Sequence, residues 1–242
     1  MEYDLEYQKY LTKVKDYGGW VLEYVPKDLR TEEVCLIAVK SNPYALEWVP
    51  EELKTLELCE LAVNDGHWAL EFVPEDLKSP ELCLIAVKDY PFALMYIPEK
   101  IKTQELCELA VRIAPEGFIL EFVPEEFKTP SLCEIAVNSR GYALAFVPIE
   151  MRTEELCEKA VQKSGRALKF VPEDLKTLEL CEVAVKEYGR ALADVPEDMK
   201  TLEMCIRAVY DSGSALEYVP EDLRTFEISG IAVSNEDWAL EF

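Results

Sequence analysis

Eight cysteines are the residues whose chemistry stands out first, because they recur every 24 residues with one step of 26. Zinc sites need ligands clustered at short C-x-x-C-like spacings, and this even spacing offers no such pair. Packed helices lie about 8–10 Å apart, whereas the Cα atoms of a disulfide lie roughly 4.4–6.8 Å apart. We therefore expect buried, reduced thiols, which suit a cytosolic protein. The cysteines are Cys35, Cys59, Cys83, Cys107, Cys133, Cys157, Cys181 and Cys205.

Acidic pairs form a second periodic series, each directly after a Val-Pro step. They could bind a cation, or imitate a nucleic-acid backbone towards a basic partner. Calcium loops need several oxygen ligands converging within one loop, which adjacent acids alone do not supply. A Lys or Arg follows each pair by two residues, so the simpler interpretation is a solvated edge with compensating bases. The pairs are Glu51-Glu52, Glu75-Asp76, Glu125-Glu126, Glu173-Asp174, Glu197-Asp198 and Glu221-Asp222.

The composition excludes several classes of protein. A net charge of −23 and a pI near 4.4 argue against nucleic acid or an anionic membrane as a direct partner. No apolar run approaches the ~18 residues that span a bilayer. The first ten residues, MEYDLEYQKY, have neither the basic region nor the apolar region of a secretory signal. We therefore expect a cytoplasmic chain that folds around an apolar core.

The elements that carry these residues are repeated helical hairpins. The proline of the Val-Pro or Ile-Pro step recurs at the same 24-residue interval, from Pro26 to Pro220. A Thr or Ser precedes each long helical segment and can cap it. Glycines such as Gly141 are expected to mark the helix exit. A short second helix, Ala69 to Val73 in one unit, then ends at the proline. One such hairpin cannot bury its own apolar face, so neighbouring units must stack. The fold class predicted is all-α, an α-solenoid of about ten 24-residue repeats.

The repeats predict a single repeat domain over residues 1–242. Residues 1–18 form a polar capping helix, in which Leu11 and Val14 occupy the core positions, and residues 19–242 form the tandem repeats, with an incomplete last unit. The two extra residues fall within 112–117 and lengthen the turn between two helices. Either the natural chain continues beyond the last unit, or that unit leaves an apolar end, through which self-association is possible.

One variable position per unit is the candidate binding site. It lies just before each Ala-Leu pair (Val21-Leu22 and Ile119-Leu120 in two units), and because Arg also occupies it, we expect it near the surface. A second aromatic position follows four residues later on the same helical face. Asp194 breaks that second series four residues after Arg190, which predicts an exposed ion pair. The aromatics either cover the edge of the core or form a continuous recognition ridge. The ridge residues are Trp20, Tyr44, Trp68, Phe92, Phe118, Tyr142, Arg166, Arg190, Ser214 and Trp238.

The unit A-L-x-aromatic-V-P followed by E-L-C-x-x-A-V resembles a short tandem repeat known as a domain of unknown function in bacterial and giant-virus proteins. The resemblance covers about residues 19–242. It implies a helical repeat array and a host-interaction or effector setting, and it brings no catalytic residues.

These patterns predict a non-catalytic scaffold that binds a protein or peptide partner along an extended face. The alternative is an acidic decoy that occupies the basic nucleic-acid-binding site of a partner protein. We expect no catalytic, cofactor or metal site, and no direct contact with nucleic acid or membrane. The single histidine, His67, lies in a predicted turn with no metal-binding or catalytic constellation around it.

Overall fold

The chain folds into ten α-helices in the computed structural model, which describes residues 2–114 and 117–235. No strand occurs within those residues, so the predicted all-α repeat fold is confirmed. Nine of the helices have ten residues each, and the first is longer. The helices are α1 (Glu2–Tyr17), α2 (Glu32–Ser41), α3 (Leu56–Asp65), α4 (Pro80–Asp89), α5 (Gln104–Ile113), α6 (Pro130–Ser139), α7 (Glu154–Lys163), α8 (Leu178–Glu187), α9 (Leu202–Asp211) and α10 (Phe226–Asn235).

Between consecutive α-helices the chain forms two 3₁₀ helices. The first is the short second helix predicted from the sequence, in the tighter 3₁₀ form. The second is the three-residue turn that follows the proline. The first set is Gly19–Tyr24, Pro43–Trp48, His67–Phe72, Pro91–Tyr96, Phe118–Phe122, Gly141–Phe146, Gly165–Phe170, Gly189–Asp194 and Gly213–Tyr218. The second set is Lys27–Leu29, Glu51–Leu53, Glu75–Leu77, Glu99–Ile101, Glu125–Phe127, Ile149–Met151, Glu173–Leu175, Glu197–Met199 and Glu221–Leu223.

The predicted hydroxyl caps start the α-helices from α2 onwards. The Thr55 hydroxyl accepts a hydrogen bond from the Leu58 backbone N–H at 3.3 Å, and Ser79 does the same for Leu82 at 3.1 Å. Each cap satisfies one of the backbone donors that the first helical turn leaves without a partner. Corresponding bonds start α2 and α5 to α10, so this sequence prediction is confirmed.

The core is a ladder to which every repeat contributes the same small set of side chains. In α3, Cys59, Ala62 and Val63 are fully buried, and the following 3₁₀ helix adds the fully buried Ala69 and Leu70. Small residues dominate this set, so neighbouring backbones pack closely. Within α1 to α5 and within α6 to α10, each long helix contacts the next one and packs on 3₁₀ helices beside it, which is how stacking buries a face that one hairpin leaves open.

Glycines such as Gly141 and Gly165 do follow the helix exits, but their role is close packing. Ser164 is the C-cap of α7, for example, and Gly165 begins the following 3₁₀ helix. A Cβ atom at Gly141 or Gly165 would collide with the backbone carbonyl of Ala160 or Ala184 in the next repeat. These glycines are therefore required by close packing between repeats.

A buried or half-buried basic side chain joins several repeats to the next. The Lys54 ammonium donates hydrogen bonds to the Phe72 carbonyl at 3.0 Å and to the Glu51 carboxylate at 2.7 Å. The equivalent Lys176 bonds the Asp194 carbonyl and Glu173 in the same way. We call this contact, between the base after a Val-Pro turn and the carbonyl 18 residues later, the basic clamp. Further clamps are made by Lys78, Lys200, Arg30 and Arg152.

Where the clamp residue is an arginine, its guanidinium also bonds backbone carbonyls of its own repeat. Arg30 donates to the carbonyls of Val25 and Glu23 in its own repeat, in addition to that of Trp48 in the next. These acceptors lie at the ends of the 3₁₀ helices, where carbonyls lack helical partners and a cation is favoured. The bases were expected to compensate acids at a solvated edge. Several of them do pair with the first acid, as Lys54 does with Glu51, but the basic side chains themselves are enclosed. Lys54, Lys78, Lys102, Lys128 and Lys176 are at most 9% exposed, and Lys200, Arg30 and Arg152 are half-buried.

The helices pack into two compact units, Met1–Ala114 and Pro115–Phe242. The first unit contains α1 to α5, and the second contains α6 to α10. In the first, α1 packs on α2 and the first 3₁₀ helix through the buried Leu11 and Val14. The boundary coincides with the two-residue insertion, between the end of α5 at Ile113 and the 3₁₀ helix that begins at Phe118. That the whole chain acts as one repeat domain stays a prediction.

Replacing Lys176 with Ala is expected to lower the free energy of unfolding by about 1–3 kcal/mol, because the buried Asp194 carbonyl loses its donor. Lys176→Arg should retain most of the stability, since Arg152 occupies the equivalent position and makes the same contact. Urea unfolding followed by circular dichroism measures both changes.

The matched control is Lys186→Ala, which removes an exposed lysine from the last turn of α8. It should change stability by less than about 0.5 kcal/mol. Equal losses in Lys176→Ala and Lys186→Ala would show that the clamp contributes nothing specific.

Candidate partner-binding ridge

The ridge residues of the first unit are partly exposed side chains at the start of each six-residue 3₁₀ helix. Trp20, Tyr44 and Trp68 are 52%, 40% and 44% exposed, and Phe92 is half-buried. The next two residues of each 3₁₀ helix, such as Ala69 and Leu70, are fully buried. The position is therefore near the surface, as the sequence predicted, while its backbone is fixed by the core.

Trp68 belongs to an aromatic cluster that spans two repeats. Its ring stacks on Tyr90 with centroids 4.9 Å apart and planes 22° apart. Tyr90 also contacts Phe92 at 5.6 Å and His67 at 5.3 Å. Sequence reasoning missed Tyr90, which is the C-cap of α4 and lies two positions before Phe92. His67 has a packing role beside this ring, in keeping with the structural role expected for it.

The second unit continues the pattern with edge-to-face aromatic contacts. Tyr142 lies 5.7 Å from Phe118, 6.4 Å from Phe146 and 5.0 Å from Phe170, measured between ring centroids. Such geometries add favourable quadrupole interactions to the apolar contact. Tyr142 remains 36% exposed, so these rings both cover the edge of the core and present a surface.

The aromatic positions give way to arginines that lie against tyrosines of the next repeat. The Arg166 guanidinium is 4.7 Å from the centre of the Tyr188 ring, and Arg190 is 5.8 Å from that of Tyr218. These distances fit cation–π contacts. Tyr188 is the C-cap of α8, so it is a second ridge neighbour that the repeat pattern alone did not reveal.

The predicted ion pair between Arg190 and Asp194 is wrong. Within the described part of the chain, Arg190 instead donates hydrogen bonds to the Ser214 and Tyr218 hydroxyls, both at 3.1 Å, and the bond to Tyr218 raises the pKa of Arg190. Burial raises the pKa of Asp194, an effect that the charges of Lys176 and Lys169 oppose. The i, i+4 spacing favoured a pair within one element, whereas the stacking geometry favours the next repeat.

The last two ridge positions differ from the prediction or lie outside the described residues. Ser214 is only 2% exposed, because Arg190 and Ser212 cover it, so it is a buried acceptor and does not form part of the surface. Trp238 lies outside the described residues.

All eight cysteines are free and fully buried, as predicted. Burial raises the pKa of the thiols of Cys35, Cys59, Cys83, Cys107 and Cys133 to about 11. The same effect acts on Cys157, Cys181 and Cys205. A thiol that is protonated and inaccessible at neutral pH is neither a nucleophile nor a metal ligand.

The acidic pairs separate into two chemical roles. The first acid of several pairs, such as Glu51, Glu125 and Glu173, bonds the buried lysine three residues later. The second acid, such as Glu52 or Asp174, is exposed. No cluster of three or more His, Cys, Asp or Glu residues able to hold a metal occurs within residues 2–114 and 117–235.

The repeat pattern matches a family model described as "Domain of unknown function (DUF4116)" over residues 11–54, 55–102 and 153–200. These three matches cover more than half of the chain. The chain belongs to the DUF4116 family. Two of the DUF4116 matches begin at the N-cap threonines Thr55 and Thr153 and end at Lys102 and Lys200, the basic residues that follow the proline turn. Each therefore comprises two complete hairpins.

Neither the curated proteins nor the solved structures include a significant match to this chain. Across the described residues of this DUF4116 protein, the helices are too short or too polar to cross a bilayer.

The thiols of the folded protein should resist Ellman's reagent at about pH 8, since each is buried and its pKa is raised. In denaturant all eight should react at once. Rapid labelling of Cys83 or its counterparts under native conditions would contradict their burial and favour a thiol-dependent activity.

Alkaline pH should destabilise the fold through the same thiols. The pKa of thiols such as Cys59 and Cys83 is about 11 in the folded chain against an ordinary value of 9.0, so the unfolded chain loses these protons first. Stability from this source is complete below pH 9.0 and is lost as the pH rises towards about 11.

The variant carrying Cys59→Ala and Cys83→Ala tests this linkage. Over that pH range, the unfolding free energy of this variant should fall less steeply with pH than that of the intact protein. The difference in slope should be about 1.4 kcal/mol per pH unit for each thiol removed. Urea unfolding at a series of pH values gives the slope, and an unchanged slope contradicts the assignment.

Proposed function

We propose that this DUF4116 protein is a non-catalytic scaffold that binds a protein or peptide partner along its ridge. The observation that carries the proposal is the partial exposure of large aromatic rings, one in each of six consecutive repeats from Trp20 to Tyr142, on a backbone fixed by the core. Trp20, Tyr44, Trp68 and Tyr142 all expose more than a third of their surface. Aromatic residues in such positions are enriched where proteins bind one another.

Neighbouring rings hold the ridge aromatics in place, which favours binding with little reorganisation of these side chains. Trp68 is held against Tyr90, and Tyr142 is surrounded by Phe118, Phe146 and Phe170. A side chain that is already ordered loses less conformational entropy when a partner covers it. One such position per repeat provides a row of contacts for an extended segment.

The residues whose chemistry could serve catalysis are engaged in structural contacts. The thiols are buried and their pKa is raised, and Glu51 and its counterparts bond the clamp lysines. His67 packs against the Tyr90 ring. These contacts support a binding role in preference to an enzymatic one.

Replacing Trp68 and Phe92 with Ala should abolish capture of a partner that binds the intact protein at high salt. The apolar contact that these rings provide is insensitive to ionic strength, so binding to the intact protein should persist as salt is raised. Pull-down followed by calorimetry with the purified partner measures the loss.

The matched control replaces Leu56 and Leu84 with Ala. These side chains are also partly exposed, at 42% and 37%, but they lie on α3 and α4. The control should bind as the intact protein does. Unchanged binding by the Trp68 and Phe92 variant would overturn the proposal.

Binding that weakens steeply with added salt would instead favour the acidic decoy. The exposed second acids, such as Asp174 and Asp222, support that alternative. The bonding of the first acids to buried lysines reduces the negative charge available to a partner.

A further inference from the structure

A groove in the second unit combines basic and aromatic side chains. It has a volume of about 530 Å³ and runs beside three consecutive ridge positions, Phe118, Tyr142 and Arg166. Arg140 and Lys163 line the same groove. The residues around it thus provide two aromatic rings and three cations.

The groove is basic although the protein is strongly acidic. No carboxylate lines it, so its formal charge is positive, against −23 for the whole chain. Arg140, Lys163 and Arg166 are all exposed, and none forms an ion pair with a residue in the described ranges. Elsewhere, Lys128 and Lys159 bond carboxylates at 2.7 Å. The groove cations therefore remain available to an anionic ligand.

Repeat geometry brings these side chains together. Lys163 is the last residue of α7, and Arg140 is the C-cap of α6, so both lie at the ends of neighbouring long helices. Gly141 allows α7 to approach, because a larger residue there would meet the Ala160 carbonyl. Arg166 follows directly in the next 3₁₀ helix, where the ridge changes from aromatic to basic. The basic and aromatic groups therefore occupy one face of adjacent repeats.

We propose that this groove binds an acidic segment of a peptide partner. Carboxylates of the segment contact Arg140, Lys163 and Arg166, and an apolar or aromatic side chain packs on Phe118 and Tyr142. Charge complementarity identifies the occupant, because an arginine fork binds a carboxylate through two parallel hydrogen bonds. The inference rests on the proposed function and adds the chemistry of the segment that this part of the ridge selects.

The negative charge of the rest of the protein opposes an acidic ligand only at a distance. At physiological ionic strength the Debye length is about 8 Å, so distant carboxylates are largely screened. Contacts inside the groove are shorter than this distance and are screened less. Binding should therefore be measured at physiological salt.

The test uses a fluorescein-labelled peptide, Gly-Glu-Glu-Phe-Glu-Glu-Gly, and its analogue with Gln in place of every Glu. Fluorescence anisotropy with the full chain should show at least about tenfold tighter binding of the glutamate peptide. Equal affinity for the two peptides, or no binding of either, would overturn the proposal without recourse to any variant.

A triple variant, R140Q/K163Q/R166Q, locates the site. It should bind the glutamate peptide about tenfold more weakly than the intact protein. The matched control, K40Q/K88Q/R112Q, removes three exposed cations from the first unit and should change affinity less than about twofold. Equal losses in the two variants would mean that general charge, and not the groove, governs binding.

Competition with millimolar inorganic phosphate separates a peptide site from a simple anion site. Complete displacement of the glutamate peptide by phosphate alone would overturn the assignment to a peptide, and retention of binding supports it.

The two proposals fail separately. If Trp68→Ala and Phe92→Ala remove partner binding but the groove variant binds peptide normally, the ridge function stands and the acidic-segment inference fails. The reverse pattern supports the groove and overturns the aromatic ridge of the first unit.

Discussion

The basic clamp is the interaction on which the packing of the repeats depends most directly. Each clamp joins a cation in one repeat to a backbone carbonyl at the end of a 3₁₀ helix in the next, as Lys54 does with Phe72. Burial lowers the pKa of Lys78, which shows that enclosing such a charge is costly. The carbonyl of Tyr96, 2.7 Å from the Lys78 ammonium, offsets that cost. Because a buried cation without its acceptor is strongly destabilising, the clamp favours one register between hairpins.

The core and the ridge follow from this register. Once hairpins stack at a fixed offset, Cys59 and its counterparts are fully buried, and this burial raises the pKa of their thiols. The same offset brings Tyr90 onto Trp68 and Tyr188 under Arg166. These contacts between side chains at the surface are thus determined by how the repeats stack.

Much of this fold could be predicted because the repeat exposes the constraints on each position many times within one chain. Thr55 and its counterparts recur before each helix, and the cysteines recur at one buried position, so capping and burial followed from residue type alone. The glycines could not be interpreted in that way. Their role depends on how near the Ala160 and Ala184 carbonyls approach, a distance that only the packed repeats define.

The clamp itself was missed for a physical reason. A lysine beside two acids is usually solvated, and Lys54 follows Glu51 and Glu52. The sequence did contain a signal, since the position from Arg30 to Arg224 is Lys or Arg in every repeat while its acidic neighbours vary. Similarly, Tyr90 and Tyr188 are aromatic residues at helix C-caps, where neighbouring repeats have Gly or Ser. Positions at which one repeat differs from the others therefore indicate contacts beside the ridge. The consensus sequence of the repeat does not show these contacts.

The clamp has a consequence for how the sequences of such repeat arrays can evolve. Its acceptor in the next hairpin is a main-chain oxygen, and Lys176 bonds the carbonyl of Asp194 as Lys54 bonds that of Phe72. The side chain at the acceptor residue can therefore be replaced without loss of the joint between hairpins. Whole modules can be duplicated, deleted or exchanged without refitting their neighbours, which leaves the outward residues free to diversify.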